Sequence, residues 1–389
     1  MRILFSSLPT HGHTYPLVPL ARAARDAGHD VLFATNESFH PVLKAFGLDT
    51  VAAGIGIYQA FVQANGGDLD RRALPREFRA ELIGVVFGGV LPRAFVTDLG
   101  PLLAELQPDL VVHEAGNLGG FFAAKLAGIP GICHGFGRAA GSTVDFPIHD
   151  ALTAFAAEVG VDFPDAARGG GDPYLDICPE SVQDAGFLAA MQDPTAKRIP
   201  LRPVPVNEPG ELPAWVGSRA GGRPLVYLTL GTAFGAIPVL RAAIDGLTGL
   251  DADVLVAAGP TIDVEALGGV PANVRVEKWV PQADLLPHVD LVIHHGGSGT
   301  TLGALANGVP QLVLPQGADQ FGNAEAVLER GAGARLLTED QTAEAVATKV
   351  KTLLTDDDAL AAARAVAAEI AAMPSPEDTV RVLEKTGRV

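Results

Sequence analysis

Residues 279–323 read WVPQADLLPHVDLVIHHGGSGTTLGALANGVPQLVLPQGADQFGN, and this stretch decides the fold. Its apolar run from Asp290 to His294 predicts a buried strand, His295 to Gly299 a glycine/serine loop, and a helix opening at Thr300. Strand, glycine-rich turn and helix N-terminus together make an anion site. The first amides of a helix have no internal acceptor, and the helix dipole favours negative charge. His295, Ser298, Thr300 and Thr301 add side-chain donors at that spot. A diphosphate is the natural ligand.

Outward from this box, strand and helix patterns alternate along the whole chain, which predicts parallel sheets with crossover helices. Strands are expected at Arg2 to Ser7, Asp30 to Ala34, Asp109 to His113 and Gly131 to His134. Helices are expected at Pro16 to Ala27, closed by Gly28, and at Leu118 to Leu126. Four prolines in RPVPVNEPGELP, from Arg202 to Pro213, read as an extended linker. A second α/β unit follows, with strands at Leu225 to Thr229, Asp253 to Ala257, Val274 to Glu277, Asp290 to His294 and Gln311 to Leu314. Helices close the chain at Thr342 to Leu354, Asp358 to Met373 and Glu377 to Lys385. Ile55 to Phe95 reads as irregular and, with Ala140 to Asp172, suits a variable acceptor-facing region. RILFSSLPTHGHTYP and PLVYLTLGTAFGA echo each other as strand, short polar loop and helix. In open parallel sheets ligands bind at such strand ends, and two domains facing each other would enclose a cleft.

The 389 residues favour two domains, and with 48% hydrophobic residues each half can bury a core. A net charge of −17 argues against nucleic acid or an anionic membrane as partner and favours a neutral or cationic acceptor. The anion site is then a local positive potential built from amides and histidines. Two cysteines, Cys133 and Cys178, imply no disulfide framework and fit a cytoplasmic protein. The apolar start MRILFSSLPTHGH is too short for a signal peptide and breaks at Pro9 and His11. No stretch is expected to be long enough to cross a bilayer, so no stable membrane anchor is expected.

HGHTYPLVPLA, the linker, HHGGSGTTLGAL and DQFGNA stand in the order found in GT-B glycosyltransferases that use nucleotide sugars. The chain resembles the actinobacterial enzymes of that family acting on polyketide, macrolide and enediyne aglycones, most of all the deoxysugar transferases of enediyne pathways. The resemblance covers essentially the whole chain, and its C-terminal box is its most specific part. It implies an α/β, GT-B fold of two facing Rossmann-like domains with an interdomain cleft. Residues 1–203 would bind acceptor, 204–215 link, 216–373 bind the nucleotide sugar, and 374–389 form a C-terminal helix that could pack back on the N-terminal domain.

His13, in the loop after the first strand, is the candidate general base. An alcohol is a poor nucleophile until its proton leaves, and imidazole suits that task near neutral pH. Spacing alone leaves His11 equal to it, and a loop-capping histidine is the plainer alternative. The resemblance places the base on the histidine of GHxxP, which here is His13. A base histidine needs a carboxylate on its other nitrogen. The family usually has Asp at the end of its fourth strand. VVHEAGN puts Glu114 there, one methylene longer, with His113 as a rival base and a helix N-terminal charge as the alternative for Glu114.

The resemblance sets Gly231 and Thr232 against the donor diphosphate with His295, Gly297, Ser298, Gly299 and Thr300. It makes Trp279 a nucleobase platform, with the Val280 backbone at the base edge and Gln282 on the ribose side, although Trp279 could equally be core. It gives Asp319 and Gln320 to sugar hydroxyls, while Asn323 reads as a helix cap. Many relatives that use uridine donors carry Glu where Gly303 stands here. Glycine cannot grip the ribose 2′-hydroxyl, which implies a preference for dTDP-sugars.

No metal is expected. His294 and His295 point to opposite faces of a strand end, and no third ligand has metal-site spacing. Asp251-Ala-Asp253 only superficially resembles a metal-binding DxD, and Asp356 to Asp358 reads as a helix start. The expected activity is therefore inverting O-glycosyl transfer from a dTDP-sugar to a lipophilic acceptor, with no cofactor beyond that co-substrate. A UDP-glucose transferase and a catalytically silent helper protein are the alternatives. A homodimer remains an option.

Overall fold

The computed structural model describes residues 1–67, 76–139, 146–164, 169–218, 222–231, 237–259, 262, 264 and 267–387. The chain divides into two compact units. One comprises Met1–Cys178, Gln183–Arg202 and Pro374–Val389, the other Pro179–Val182 and Pro203–Met373.

The first unit holds strands β1 (Arg2–Ser6), β2 (Asp30–Thr35), β3 (Asp49–Ala52), β4 (Leu110–Glu114), β5 (Gly131–His134), β6 (Tyr174–Asp176) and β7 (Arg198–Pro200). They form one parallel sheet in the order β3-β2-β1-β4-β5-β6-β7. The second unit holds β8 (Leu225–Thr229), β9 (Asp253–Ala257), β10 (Val274–Glu277), β11 (Leu291–His294), β12 (Gln311–Val313) and β13 (Gly333–Arg335). Its parallel order is β10-β9-β8-β11-β12-β13. Both sheets are covered on both faces, so central strands such as LVYLT and LVIH are apolar almost without break and buried throughout. In each sheet the chain winds one way from its first strand and then returns to the other side. The reversals fall at β1/β4 and at β8/β11, where an open parallel sheet leaves a crevice at its carboxyl edge.

Ile55 to Phe95, expected to be irregular, contains helices Ile57–Asn65 and Arg76–Val85, and the latter runs on through a π turn, Val86–Val90, into Leu91–Leu106. Leu82, Val86, Leu91, Phe95, Leu99 and Leu103 are buried in the core beside Leu4 and Val111. Their spacing is four residues except for the step of five from Val86 to Leu91. The π turn absorbs that extra residue and keeps the stripe on one face, and the same phase jump hides the helix from a 3.6-residue pattern. Ala80–Leu106, at 27 residues and a mean hydropathy of 1.6, is long and apolar enough to cross a membrane, which corrects the expectation that no stretch is. Here its apolar stripe is taken up by the core of the first unit.

Short strands β3, β6, β7 and β13, at or next to a sheet edge, lack a readable pattern. The terminal helix Pro376–Thr386 opens with a capping box from Ser375 and Asp378 and packs on Val18–Asp26 within the first unit.

Candidate functional site

The β1/β4 switch point carries His13 and Glu114. After β1 the chain turns into the short helix His11–Thr14, held from inside by Thr14, whose Oγ1 donates to the Leu8 carbonyl at 2.9 Å. His13 Nδ1 lies 3.0 Å from Glu114 Oε1. Glu114 is fully buried at the end of β4, and the Gly116 amide donates to the same Oε1. The longer glutamate therefore brings a carboxylate oxygen within 3.0 Å of the imidazole nitrogen. Space beside the ring is limited: a Cβ on Gly116 would stand 2.9 Å from His13 Cε1, and Phe136 packs against the ring at 4.6 Å. With a carboxylate at Nδ1, Nε2 becomes the basic nitrogen.

The two rival histidines are engaged elsewhere. His11 packs edge-on to Tyr15 and Phe39 at 5.0 and 5.2 Å. His113 is fully buried and, by strand alternation, lies on the face of β4 opposite Glu114. Its Nε2 is 3.0 Å from Asp172 Oδ2, and Lys125 Nζ is 2.5 Å from Asp172 Oδ1. Burial pushes the Asp172 carboxyl up, but His113 and Lys125 outweigh it and hold it below the ordinary range.

The β8/β11 switch point carries the glycine loop. Gly231 follows β8 with φ 74°, and a Cβ there would stand 2.5 Å from His295 Cε1. A Cβ on Gly297 would stand 2.5 Å from His295 Nε2. The imidazole is thus clamped between two glycine backbones. Burial lowers its pKa to about 4, against a raising pull from Asp319. His295 is therefore neutral at pH 7 in the free protein, and the positive potential expected from histidines comes from amides instead.

Helix Ser298–Ala306 begins two residues earlier than expected, after Gly297 at the cap. Thr301 N–H makes the first intrahelical bond, to the Gly297 carbonyl at 3.0 Å, which leaves the amides of Ser298, Gly299 and Thr300 without helical acceptors. The hydroxyls expected to serve the anion are committed internally. Ser298 Oγ donates to Asp319 Oδ2 at 2.8 Å, Thr300 Oγ1 to Gln282 Oε1 at 3.2 Å and Thr301 Oγ1 to the Gly297 carbonyl at 3.0 Å. All three residues are buried, and a buried hydroxyl takes the nearest internal acceptor. Gly299 differs: it is exposed, and a Cβ there would meet nothing within 4 Å. What the loop offers an anion is backbone amide and one imidazole. Thr232 lies outside the described residues.

Trp279 is 43% exposed, which separates it from a core residue, and it packs on the Gly210 backbone. Val280 is buried behind it. Gln282 Oε1 also accepts from Tyr227 Oη at 3.4 Å. Asp319 is exposed at the cap of helix Gln320–Glu329. Gln320 is buried, and its Oε1 accepts from the Gln316 and Gly317 amides at 2.8 and 3.1 Å, so its carbonyl end shapes its own loop. Ala318, between them, has φ 53°, an uncommon conformation for a residue with a side chain. Asn323 is not a cap. Its Nδ2 donates to the Gly296 carbonyl, Ser298 Oγ and Asp319 Oδ2 at 2.8, 3.1 and 3.0 Å, tying the glycine loop to the next helix.

The linker hides two further residues. Asn207 Oδ1 accepts the Ala283 N–H at 2.7 Å, and Gly210 admits Trp279. A proline-rich run gives no signal for either. Among the described residues no cluster of three or more His, Cys, Asp or Glu is placed to hold a metal. Asp251 and Asp253 pair with Arg223 at 3.0 and 3.5 Å, and Asp356 caps helix Asp357–Ala372.

Residues 22–231 match the N-terminal domain of the Erythromycin biosynthesis protein CIII-like family, and residues 241–386 match its C-terminal domain. The L-demethylnoviosyl transferase of Streptomyces niveus is 33% identical over 386 residues, covering 97% of this chain and 96% of that protein. The crystal structure of glycosyltransferase SsfS6 from Streptomyces sp. SF2575, complexed with thymidine diphosphate, is 30% identical with a TM-score of 0.80, covering 99% of both chains. Glycosyltransferase SnogD from Streptomyces nogalater is 30% identical with a TM-score of 0.77, again over 99% of both chains. The chain belongs to this family: it is a glycosyltransferase of natural-product aglycones with the GT-B fold.

Proposed function

We propose that this glycosyltransferase moves a hexose or deoxyhexose from a dTDP-sugar to a hydroxyl of a lipophilic aglycone, with inversion and without a metal. The observation that carries the chemistry is the 3.0 Å contact between His13 Nδ1 and the buried Glu114 carboxylate. His13 Nε2 takes the proton of the acceptor hydroxyl as the oxygen bonds to the anomeric carbon. The bond from that carbon to the diphosphate oxygen breaks on the opposite face, and the nucleoside diphosphate leaves with the electron pair. Glu114 stabilises the imidazolium that forms. The second unit answers the leaving charge with the amides of Ser298, Gly299 and Thr300 and with His295, in the manner of an oxyanion hole. Acceptor activation is thereby assigned to the first unit and donor binding to the second.

The thymidine preference is supported by Gly303, which offers no acceptor to a ribose 2′-hydroxyl, and by the thymidine diphosphate bound to SsfS6. Cytoplasmic action is part of the same proposal and fits two cysteines that are both buried and free. The test is kcat/KM for dTDP-glucose against UDP-glucose over a panel of hydroxylated aglycones, with mass-spectrometric detection and NMR assignment of the anomer formed. The proposal expects dTDP to be preferred, inversion, and turnover unchanged by EDTA. Retention, a UDP preference or chelator sensitivity would each remove the corresponding part. A protein that only assists another transferase would show no turnover of its own.

A further inference from the structure

We propose that His294 is a positioning residue of the donor loop, gripping the glycine turn so that the amides of Ser298, Gly299 and Thr300 stand where a diphosphate binds. The inference rests on the donor-site reading above. His294 ends β11 and is fully buried. Its Nδ1 accepts the Gly296 N–H at 3.0 Å, so that nitrogen carries no proton. Nε2 therefore holds the ring proton and donates to Gln311 Oε1 at 2.7 Å. Gln311 continues the chain, its Nε2 donating to the Thr301 carbonyl at 3.4 Å.

One imidazole thus connects the end of β11, the turn, the first residue of β12 and the body of the helix. The Gly296 peptide is held at both ends, its N–H by His294 and its carbonyl by Asn323 at 2.8 Å. Gly296 has φ 93°, and a Cβ there would stand 2.8 Å from the Gln320 carbonyl oxygen, so the turn has little room to rebuild. A neutral imidazole is the side chain that accepts at one rigid position and donates at another in the same plane. Burial, then the neighbouring His295, lowers its pKa to about 3, so it stays neutral wherever the enzyme works. A protonated ring would set a second donor against the Gly296 N–H.

The transfer chemistry does not call on His294, and its ring stands at 88° to that of His295, 6.4 Å away. Its adjacency to His295 makes it easy to read as a second phosphate ligand or half of a metal pair. The hydrogen bonds give it a different task.

The test compares calorimetric binding of thymidine diphosphate with NMR-detected binding of thymidine in the full chain. His294→Ala is expected to weaken thymidine diphosphate by roughly tenfold to hundredfold, because a buried donor loses its acceptor. Thymidine, which has no phosphate, should bind as to the parent. His294→Asn, whose Oδ1 can accept the Gly296 N–H, should recover most of the loss. Nitrogen-15 spectra of the parent should show one histidine locked as the Nε2–H tautomer. Where His294→Ala does not fold, Gln311→Leu removes only the acceptor of Nε2–H and should cost several-fold in thymidine diphosphate affinity. Unchanged thymidine diphosphate affinity, or an equal loss for thymidine, overturns the positioning role while leaving the donor site standing. A parent protein that does not bind thymidine diphosphate overturns the donor-site reading itself, and the positioning role with it.

Discussion

At the β1/β4 switch point the first unit buries a carboxylate, Glu114, against a histidine; at β8/β11 the second clamps a part-buried histidine, His295, between two glycines. The sheets share topology and differ in what the crevice must do. A proton acceptor gains charge during reaction and needs a fixed counter-charge, so the first crevice keeps a carboxylate in contact with the ring. An anion holder must not present a carboxylate at the same distance. The second crevice accordingly uses uncharged backbone dipoles and an imidazole that burial keeps neutral. The comparison teaches that topology supplies the place, and the first residues after each strand supply the sign of the charge.

The largest test of this division is His13→Ala. Turnover should fall by ~10²–10⁴ while thymidine diphosphate affinity, measured by calorimetry, stays the same. A matching loss of donor affinity would break the comparison. The next is acidification. His294 and His295 in the second unit have pKa values lowered by burial to about 3 and about 4, and His134 in the first to about 4. Above pH 6.5 these histidines are neutral both folded and unfolded. Below it the unfolded chain takes up protons that the folded one refuses until about pH 4, so stability falls with acidity through that window. By pH 5 the loss is on the order of 2 kcal/mol per histidine, and the second unit, with two, should yield first in denaturant titrations at pH 7 and pH 5. Thymidine diphosphate, by raising the pKa of His295, should restore part of that loss.

Gly297→Ala sharpens the comparison further. The new Cβ would stand 2.5 Å from His295 Nε2 and must displace the ring. Donor affinity should drop by about tenfold, and turnover at saturating donor should fall with it, because the same ring meets the leaving charge. The smallest effect is expected from Gly303→Glu. A Cβ there meets the flexible end of Leu286 at 3.0 Å, and the carboxylate adds an acceptor for a ribose hydroxyl. A shift of a few-fold in kcat/KM toward UDP-glucose is expected; none would indicate that position 303 does not face the ribose.

Much of this was legible in the residues. The central strands announced themselves because both faces are buried, and β5, β8 and β9 have the bounds their apolar runs predict; the edge strand β10 does too, from its alternating valines. The helix from Arg76 to Leu106 was not legible, because the residue added at the π turn breaks its period. Strands β3, β6, β7 and β13, of three or four residues, are too short for a pattern. In the site, the HHGGSGTT loop could be read as an anion cradle, but not which of its donors remain available. Composition counts the hydroxyls of Ser298, Thr300 and Thr301 as donors to ligand, whereas packing gives each an internal acceptor. Asn207, Gly210, His294, Gln311 and Asn323 were beyond reach because their roles depend on partners that lie distant in sequence or look like ordinary turns.

The most direct test is a crystal structure of the protein with thymidine diphosphate. The account predicts diphosphate oxygens within hydrogen-bonding distance of the Ser298, Gly299 and Thr300 amides and of His295, with thymine on Trp279. A nucleotide bound away from that loop, or none bound at saturating concentration, would contradict it.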